Sequence, residues 1–223
     1  IRQWDVARNQ QVAVLVRNLD DLRSVSVDRL GKILALADAS CVTRTWRMPD
    51  MQRHQVIGPE TSRISSVVTT AHNRWLAWAD QRGHVSVVDI DHRSSRVEFD
   101  SGLSNVRLAF SPGGTMLAVG GEGDPPIQLR YVTTGETKPL AAGVSAVRAV
   151  AFVDAGAKLA AAHADGKLIL WDLETSQRYT TVDAKPLASL AASSNGKWLA
   201  GGGLTGELHL WNTASMSYKN VPA

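Results

Sequence analysis

Glycines, histidines and a cysteine are the residues of this chain that could do chemistry, and the glycines form the most specific motif. Gly201, Gly203 and Gly206 have the spacing G-x-G-x-x-G. In a dinucleotide site this spacing joins a strand to a helix whose N-terminus receives the phosphate. Here residues 207–211 continue as a strand, so the sequence offers no helix to hold a phosphate. We interpret the motif as glycines in a crowded turn between two strands.

The histidines have no metal-binding or catalytic spacing. They form no H-x-H, no H-E-x-x-H and no pattern paired with cysteine, and the chain has no G-x-S-x-G nucleophile motif. They are His54, His72, His84, His92, His163 and His209, and we expect surface or satisfied side chains. Cys41 is the single cysteine, expected to be a small buried side chain at the start of a strand. The sequence therefore predicts no metal, no cofactor and no hydrolase, transferase or redox activity.

The elements that position these residues are copies of one unit. A dipeptide that reads Trp-Asp in its clearest copies recurs every 40 to 42 residues along the whole chain. Its six positions are Trp4-Asp5, Trp46-Arg47, Val88-Asp89, Arg130-Tyr131, Trp171-Asp172 and Trp211-Asn212. A fixed period of this length is typical of a repeated structural unit.

Two further patterns share this period. Leu-Ala pairs precede five of the Trp positions, at Leu34, Leu76, Leu117, Leu159 and Leu199. Three residues before each leucine stands a residue that tolerates the positive φ of a tight turn. These residues are Gly31, Asn73, Gly114, Gly156 and Gly196. Each unit therefore reads as a strand, a tight turn, a second strand with Leu-Ala, a third strand ending at the Trp position, and a fourth strand.

Four short antiparallel strands in every ~40 residues predict an all-β fold, a β-propeller built of four-stranded blades. Five complete blades are predicted at 22–58, 64–99, 106–141, 147–182 and 187–221, and residues 1–16 supply a partial N-terminal blade. We expect one domain over residues 1–223. We also expect the ring to be incomplete within this chain, because seven units of this period need about 290 residues.

The chain resembles the WD40-repeat family over its whole length. Residues 110–118 resemble the first hairpin of that family, and residues 164–172 resemble its third strand. The resemblance implies structural roles for the family tryptophan and aspartate positions, which are Trp4, Trp46, Trp171, Trp211, Asp124 and Asp165. The loops before the first strands lack the histidine of the family's side-chain network, and Val88 and Arg130 replace two tryptophans. Apolar packing between blades must therefore hold these degenerate repeats, and quinoprotein-like and other seven-bladed propellers stay open as relatives.

Five cations recur near the starts of the first strands: Arg23, Arg63, Arg107, Arg148 and Lys185. In a propeller these starts share one face around the central channel. A ring of positive charge there would attract an acidic protein segment or an anionic ligand. The alternative is ordinary solvated loop charge, paired with neighbours such as Asp21 and Asp183.

The resemblance implies a non-catalytic scaffold that binds proteins or peptides. The Ala- and Val-rich repeats look like bacterial members of the family, in which such a propeller follows an effector domain as sensor or regulator. The net charge of +3 shows no clustered basic stripe for nucleic acid, and no apolar run approaches the ~18 residues of a membrane span. We expect a cytoplasmic fragment of a longer protein. A ligand- or cofactor-binding enzymatic propeller and a periplasmic assembly propeller remain the alternatives.

Overall fold

The computed structural model describes residues 1–5, 7–16, 21–28, 30–48, 50, 52–57, 62–70, 74–90, 92, 96–140 and 145–221. Strands dominate these residues. The one helical element among them is a single 3-10 turn, Asp154–Gly156, between two strands. No helix in the described part is long and apolar enough to span a membrane.

The strands form one two-stranded sheet followed by five four-stranded antiparallel sheets. The N-terminal sheet consists of β1 (Arg2–Asp5) and β2 (Gln10–Val14). The first blade consists of β3 (Ser24–Val27), β4 (Ile33–Ala37), β5 (Thr43–Arg47) and β6 (Gln52–Ile57). The second consists of β7 (Ile64–Thr69), β8 (Trp75–Asp80), β9 (His84–Asp89) and β10 (Arg96–Asp100).

The remaining three blades repeat the same order. The third consists of β11 (Ser104–Phe110), β12 (Met116–Glu122), β13 (Ile127–Tyr131) and β14 (Thr137–Pro139). The fourth consists of β15 (Val147–Val153), β16 (Lys158–His163), β17 (Lys167–Asp172) and β18 (Arg178–Asp183). The fifth consists of β19 (Leu187–Ala192), β20 (Trp198–Gly203), β21 (Leu208–Asn212) and β22 (Tyr218–Val221). The five blades and the small N-terminal sheet that the sequence predicts are confirmed.

The repeated sequence positions meet across each sheet. Leu159 of the second strand lies opposite Trp171 of the third, and Leu199 lies opposite Trp211. The predicted tight turns between first and second strands have positive φ, for example +67° at Gly31. Gly196 has φ +70°, and a Cβ there would lie 2.7 Å from the backbone nitrogen of Ala155. Asn73 lies outside the described residues. The glycine-rich segment 201–206 ends β20 and turns into β21, as the sequence predicts.

Apolar contact between neighbouring blades forms the core. Trp171 is fully buried and packs with Ile127 and Leu129 of the preceding blade. Trp211 packs in the same way on Leu168 and Leu170. Each tryptophan thus joins its own sheet to the one before it, which gives both sheets the apolar cover that neither has alone.

The burial predicted for three tryptophans is confirmed: Trp46, Trp171 and Trp211 have exposed fractions of 9%, 0% and 1%. Trp4 differs, since it lies in the two-stranded sheet and is 54% exposed. Trp75 and Trp198 occupy equivalent positions at the starts of β8 and β20. Trp75 packs against the third blade, whereas Trp198 is 43% exposed because no further blade covers that side of the fifth sheet in the described part of the chain.

Blades contact one another in chain order, through the first two strands of each blade and the first strand of the next. Within the described ranges, no comparable contact joins the fifth blade to the first blade or to the N-terminal sheet. Closure of a ring, by residues of this chain or by others, therefore stays a prediction.

Replacing Trp171 by alanine should lower the free energy of unfolding by about 3–5 kcal/mol, because it removes a fully buried side chain shared by two blades. The matched control is Trp198→Ala, which should cost less than about 1 kcal/mol because that side chain is largely exposed. Urea denaturation followed by far-ultraviolet circular dichroism measures both. Equal losses in the two variants would contradict the packing described here.

Candidate functional site

The innermost strands are the first strands of the blades, β3, β7, β11, β15 and β19, and each packs on the next. Serine side chains fix their spacing. The backbone N–H of Val67 donates to Ser24 Oγ at 3.0 Å, and that of Leu108 donates to buried Ser66 Oγ at 3.2 Å. Because these bonds cross from one blade to the next, the starts of the first strands are held together at one face of the stack. We call this the first-strand face.

The predicted cations all lie near this face, but at different registers. Arg23 and Arg63 stand directly before β3 and β7, and Lys185 stands in the connection to β19. Arg107 and Arg148 lie inside β11 and β15. The five cations therefore share one face but not one register position, and their role as a ring of charge stays a prediction. The structure places only two of the five cations in a shared cavity.

A cavity of about 210 Å³ brings Arg107 and Arg148 together at the junction of the third and fourth blades. Its lining residues are Asn105, Arg107, Glu122, Ala146, Val147, Arg148 and Ala164. Arg107 is half-buried, and its Nη1 donates to the carbonyl oxygens of Asn105 and Val106, both at 3.2 Å. Ser104 Oγ donates to Glu122 Oε2 at 3.2 Å. The cavity is therefore lined by two arginines and one glutamate.

Burial lowers the pKa of Arg107, and the positive charge of Arg148 lowers it further, while Glu122 offsets part of both effects. Across the residues that the structure describes, no ion pair within 4.0 Å involves Arg107 or Arg148. The local charge is thus an uncompensated +1, which favours a bound anion.

The other three cations lie outside this cavity and, like Arg148, are exposed. Arg23 pairs with Asp21 at 2.5 Å, and both side chains are exposed. Arg63 and Lys185 are exposed as well. A hydrogen bond from Thr205 is the main cause of a lowered pKa at Glu207, and the charge of Lys185 contributes. These three residues therefore fit the alternative given by the sequence, ordinary solvated loop charge.

The fourth blade contains a buried polar group around His163, whose importance the sequence interpretation missed. His163 is fully buried, its Nδ1 donates to the carbonyl oxygen of Ser145 at 2.7 Å, and its ring lies 5.8 Å from that of Trp171. Neither His163 Nε2 nor Trp171 Nε1 has a hydrogen-bond partner within the described segments. The position of His163 two residues before Asp165, the residue that matches the family aspartate, is the signal that could have found it.

Asp165 and Asp124 differ in their surroundings. Burial would raise the pKa of Asp165, but hydrogen bonds from the Lys167 backbone and from Ser145, with the charge of Lys167, outweigh it and lower that pKa. Asp165 Oδ1 accepts from the Lys167 N–H at 3.2 Å. Asp124 is exposed, and its side chain forms no hydrogen bond with any residue that the structure describes.

A second cavity of about 210 Å³ lies between the fourth and fifth blades and is lined by His209, Trp211 and Tyr218 among others. Tyr218 Oη and His209 Nδ1 are 2.9 Å apart, and the three rings lie within 5.8 Å of one another. In the described ranges, His209 Nε2 and Trp211 Nε1 have no hydrogen-bond partner. Sequence reasoning treated His209 as an isolated histidine and did not find this cluster.

The remaining candidates stay apart from one another. His84 and His92 are exposed, and His72 and the side chain of His54 lie outside the described residues. Cys41 is half-buried in the turn before β5 rather than in a strand. Within the described parts, no three histidine, cysteine, aspartate or glutamate side chains are grouped as metal ligands.

Comparisons with known proteins agree with this architecture. The family model of the WD domain, G-beta repeat, matches residues 138–172, the segment that contains the fourth blade up to Asp172. The WD repeat-containing protein WDS homolog of Arabidopsis thaliana is 22% identical over 218 residues, which cover 94% of this chain and 42% of that protein. The chain therefore spans less than half the length of this relative. The two matches and the four-stranded blades support a WD40-repeat family.

Acidification from pH 7 to about 5 should destabilise the protein through His163. Burial lowers the pKa of His163 below its ordinary value of 6.5. The unfolded chain therefore takes up a proton first, and stability falls as pH drops through 6.5 towards the folded pKa. The aspartates with lowered pKa values lose their contribution only at more acidic pH. Unfolding by urea at several pH values measures the slope.

The matched variant is His163→Asn, whose amide can still donate to Ser145 but does not titrate. It should flatten the slope between pH 7 and 5, whereas His84→Asn, at an exposed position, should leave it unchanged. A slope that persists in His163→Asn would show that another group causes the pH dependence.

Proposed function

We propose that this chain is a non-catalytic binding module that receives an acidic protein segment on its first-strand face. The single observation that carries the proposal is the cavity where Arg107 and Arg148 lie together with one carboxylate. Exposed Arg23, Arg63 and Lys185 add positive charge at the same face. Such a field speeds the encounter with an acidic partner and selects against basic ones.

A WD40 propeller and a WD repeat-containing relative suggest a protein-interaction or regulatory role. Rigidity supports the same use, because loops at the end of a packed blade stack can vary without disturbing the core. We further propose that the module serves an effector domain elsewhere in a longer, bacterial-type protein of the cytoplasm.

An enzymatic propeller is the rival proposal. It would need histidine or carboxylate groups converging at the mouth of the channel, where the Arg107 cavity holds two arginines and Glu122. His163 lies near the start of β15 but is fully buried, and the His209 cluster lines a separate cavity between the fourth and fifth blades. The site geometry therefore favours binding over catalysis.

The test is calorimetric titration with a glutamate-rich peptide and with a glutamine-rich peptide of equal length. We expect the chain to bind the acidic peptide more tightly, and the affinity to fall between about 50 and 300 mM salt, since screening weakens exposed charge pairs. The Arg23→Gln, Arg107→Gln, Arg148→Gln variant should bind it weakly.

The control removes the same charge from the opposite face. Lys32, Arg74 and Lys197 directly precede the second strands β4, β8 and β20, and their triple Gln variant should bind as the wild type does. Equal weakening of peptide binding in both triple variants would show that net charge alone, and not the first-strand face, determines the affinity. No preference for the acidic peptide would refute the proposal.

A further inference from the structure

We infer that Arg107 and Arg148 form a seat for one carboxylate side chain of a partner. This inference rests on the proposed function and makes it specific, since it assigns recognition to two of the five cations and to one kind of group. We call the two residues the arginine pair. Their cavity lies between two blades, near the starts of the adjacent innermost strands β11 and β15.

The backbone that holds the arginine pair is tightly fixed. Arg107 lies opposite Gly120 across the third blade. A Cβ at Gly120 would come within 2.7 Å of Val147 Cγ1, so the glycine allows the third blade to pack closely on the fourth. Val147 is itself 3% exposed and directly precedes Arg148. The two guanidinium groups therefore extend from a packed junction, and a ligand does not have to bring their backbones together.

The charges that surround the cavity favour a bound anion. The hydrogen bonds observed for Arg107 are donated to two backbone carbonyl groups, which carry no net charge. The proximity of Arg148 disfavours the charge on Arg107, and Glu122 compensates only in part. An anion between the guanidinium groups would relieve that repulsion and could accept charge-assisted hydrogen bonds from both.

A monoanion fits this seat better than a phosphate. Two guanidinium groups and Glu122 give a local charge of +1, which one carboxylate balances. A phosphate with about two negative charges would leave excess negative charge beside Glu122. The occupant we assign is therefore the side chain of a glutamate or an aspartate in an acidic peptide segment.

The other cations lack these features. Arg23 already has an acidic partner in Asp21. Arg63 and Lys185 do not line the cavity. These three residues would contribute to the approach of a partner through their field, and the arginine pair would hold it.

The experiment compares two double variants that remove equal charge, with a hexaglutamate peptide as probe in calorimetric titration. Arg107→Gln with Arg148→Gln should weaken binding by about tenfold or more, because it removes the charge-assisted hydrogen bonds. Arg23→Gln with Arg63→Gln should weaken it by about threefold or less, as expected for solvated charges that lie outside the cavity. Arg107→Lys keeps the charge but loses the guanidinium fork, and should also weaken binding.

Equal weakening by the two double variants would overturn the seat and leave the acidic partner of the proposed function in place. Failure of the wild type to bind hexaglutamate would overturn both. Inorganic phosphate serves as the competing probe: it should displace the peptide poorly from the wild type and better from Glu122→Gln. Efficient displacement from the wild type would show that the seat prefers phosphate and would overturn the carboxylate assignment.

Discussion

The whole structure depends on the need of each four-stranded sheet to bury two apolar faces. A single sheet of this size cannot do so, and packing on the next sheet solves the problem on one side at a time. The tryptophan at the end of the third strand is the main contact: Trp171 and Trp211 each reach into the preceding blade and are almost wholly buried. The sequence repeat and this contact between blades therefore have the same period.

The same packing creates the candidate site. Because each first strand lies against the next, and serines such as Ser24 and Ser66 bond across the gap, side chains at the strand starts are brought together at one face. Two arginines that are far apart in sequence thereby share one cavity with Glu122. Repulsion between the two arginines destabilises the junction, and interblade packing offsets that cost. An anionic partner would remove the repulsion. Binding function and blade packing are linked through the junction at Gly120 and Val147.

Most of the fold could be predicted from the sequence, because the tight turns and the Leu-Ala pairs are local signals repeated in every blade. Gly31 and Gly196 show the predicted positive φ. The site was harder to predict. Arg107 and Arg148 belong to different blades, so the packing of β11 on β15 brings them to one cavity, and no local pattern reports that packing. His163 was missed because β16 is buried on both faces, so its alternation carries no signal. The exposure of Trp198 depends on a neighbouring blade and not on its own repeat.

The central claim is that the packed junction of the third and fourth blades presents two guanidinium groups to one carboxylate. The most direct measurement is a crystal structure of the chain with hexaglutamate. The account predicts a glutamate carboxylate within hydrogen-bond distance, about 2.7–2.9 Å, of both Arg107 and Arg148. A peptide bound at the opposite face, near Lys32 and Lys197, or along Arg23 and Arg63 without contact to the arginine pair, would contradict it.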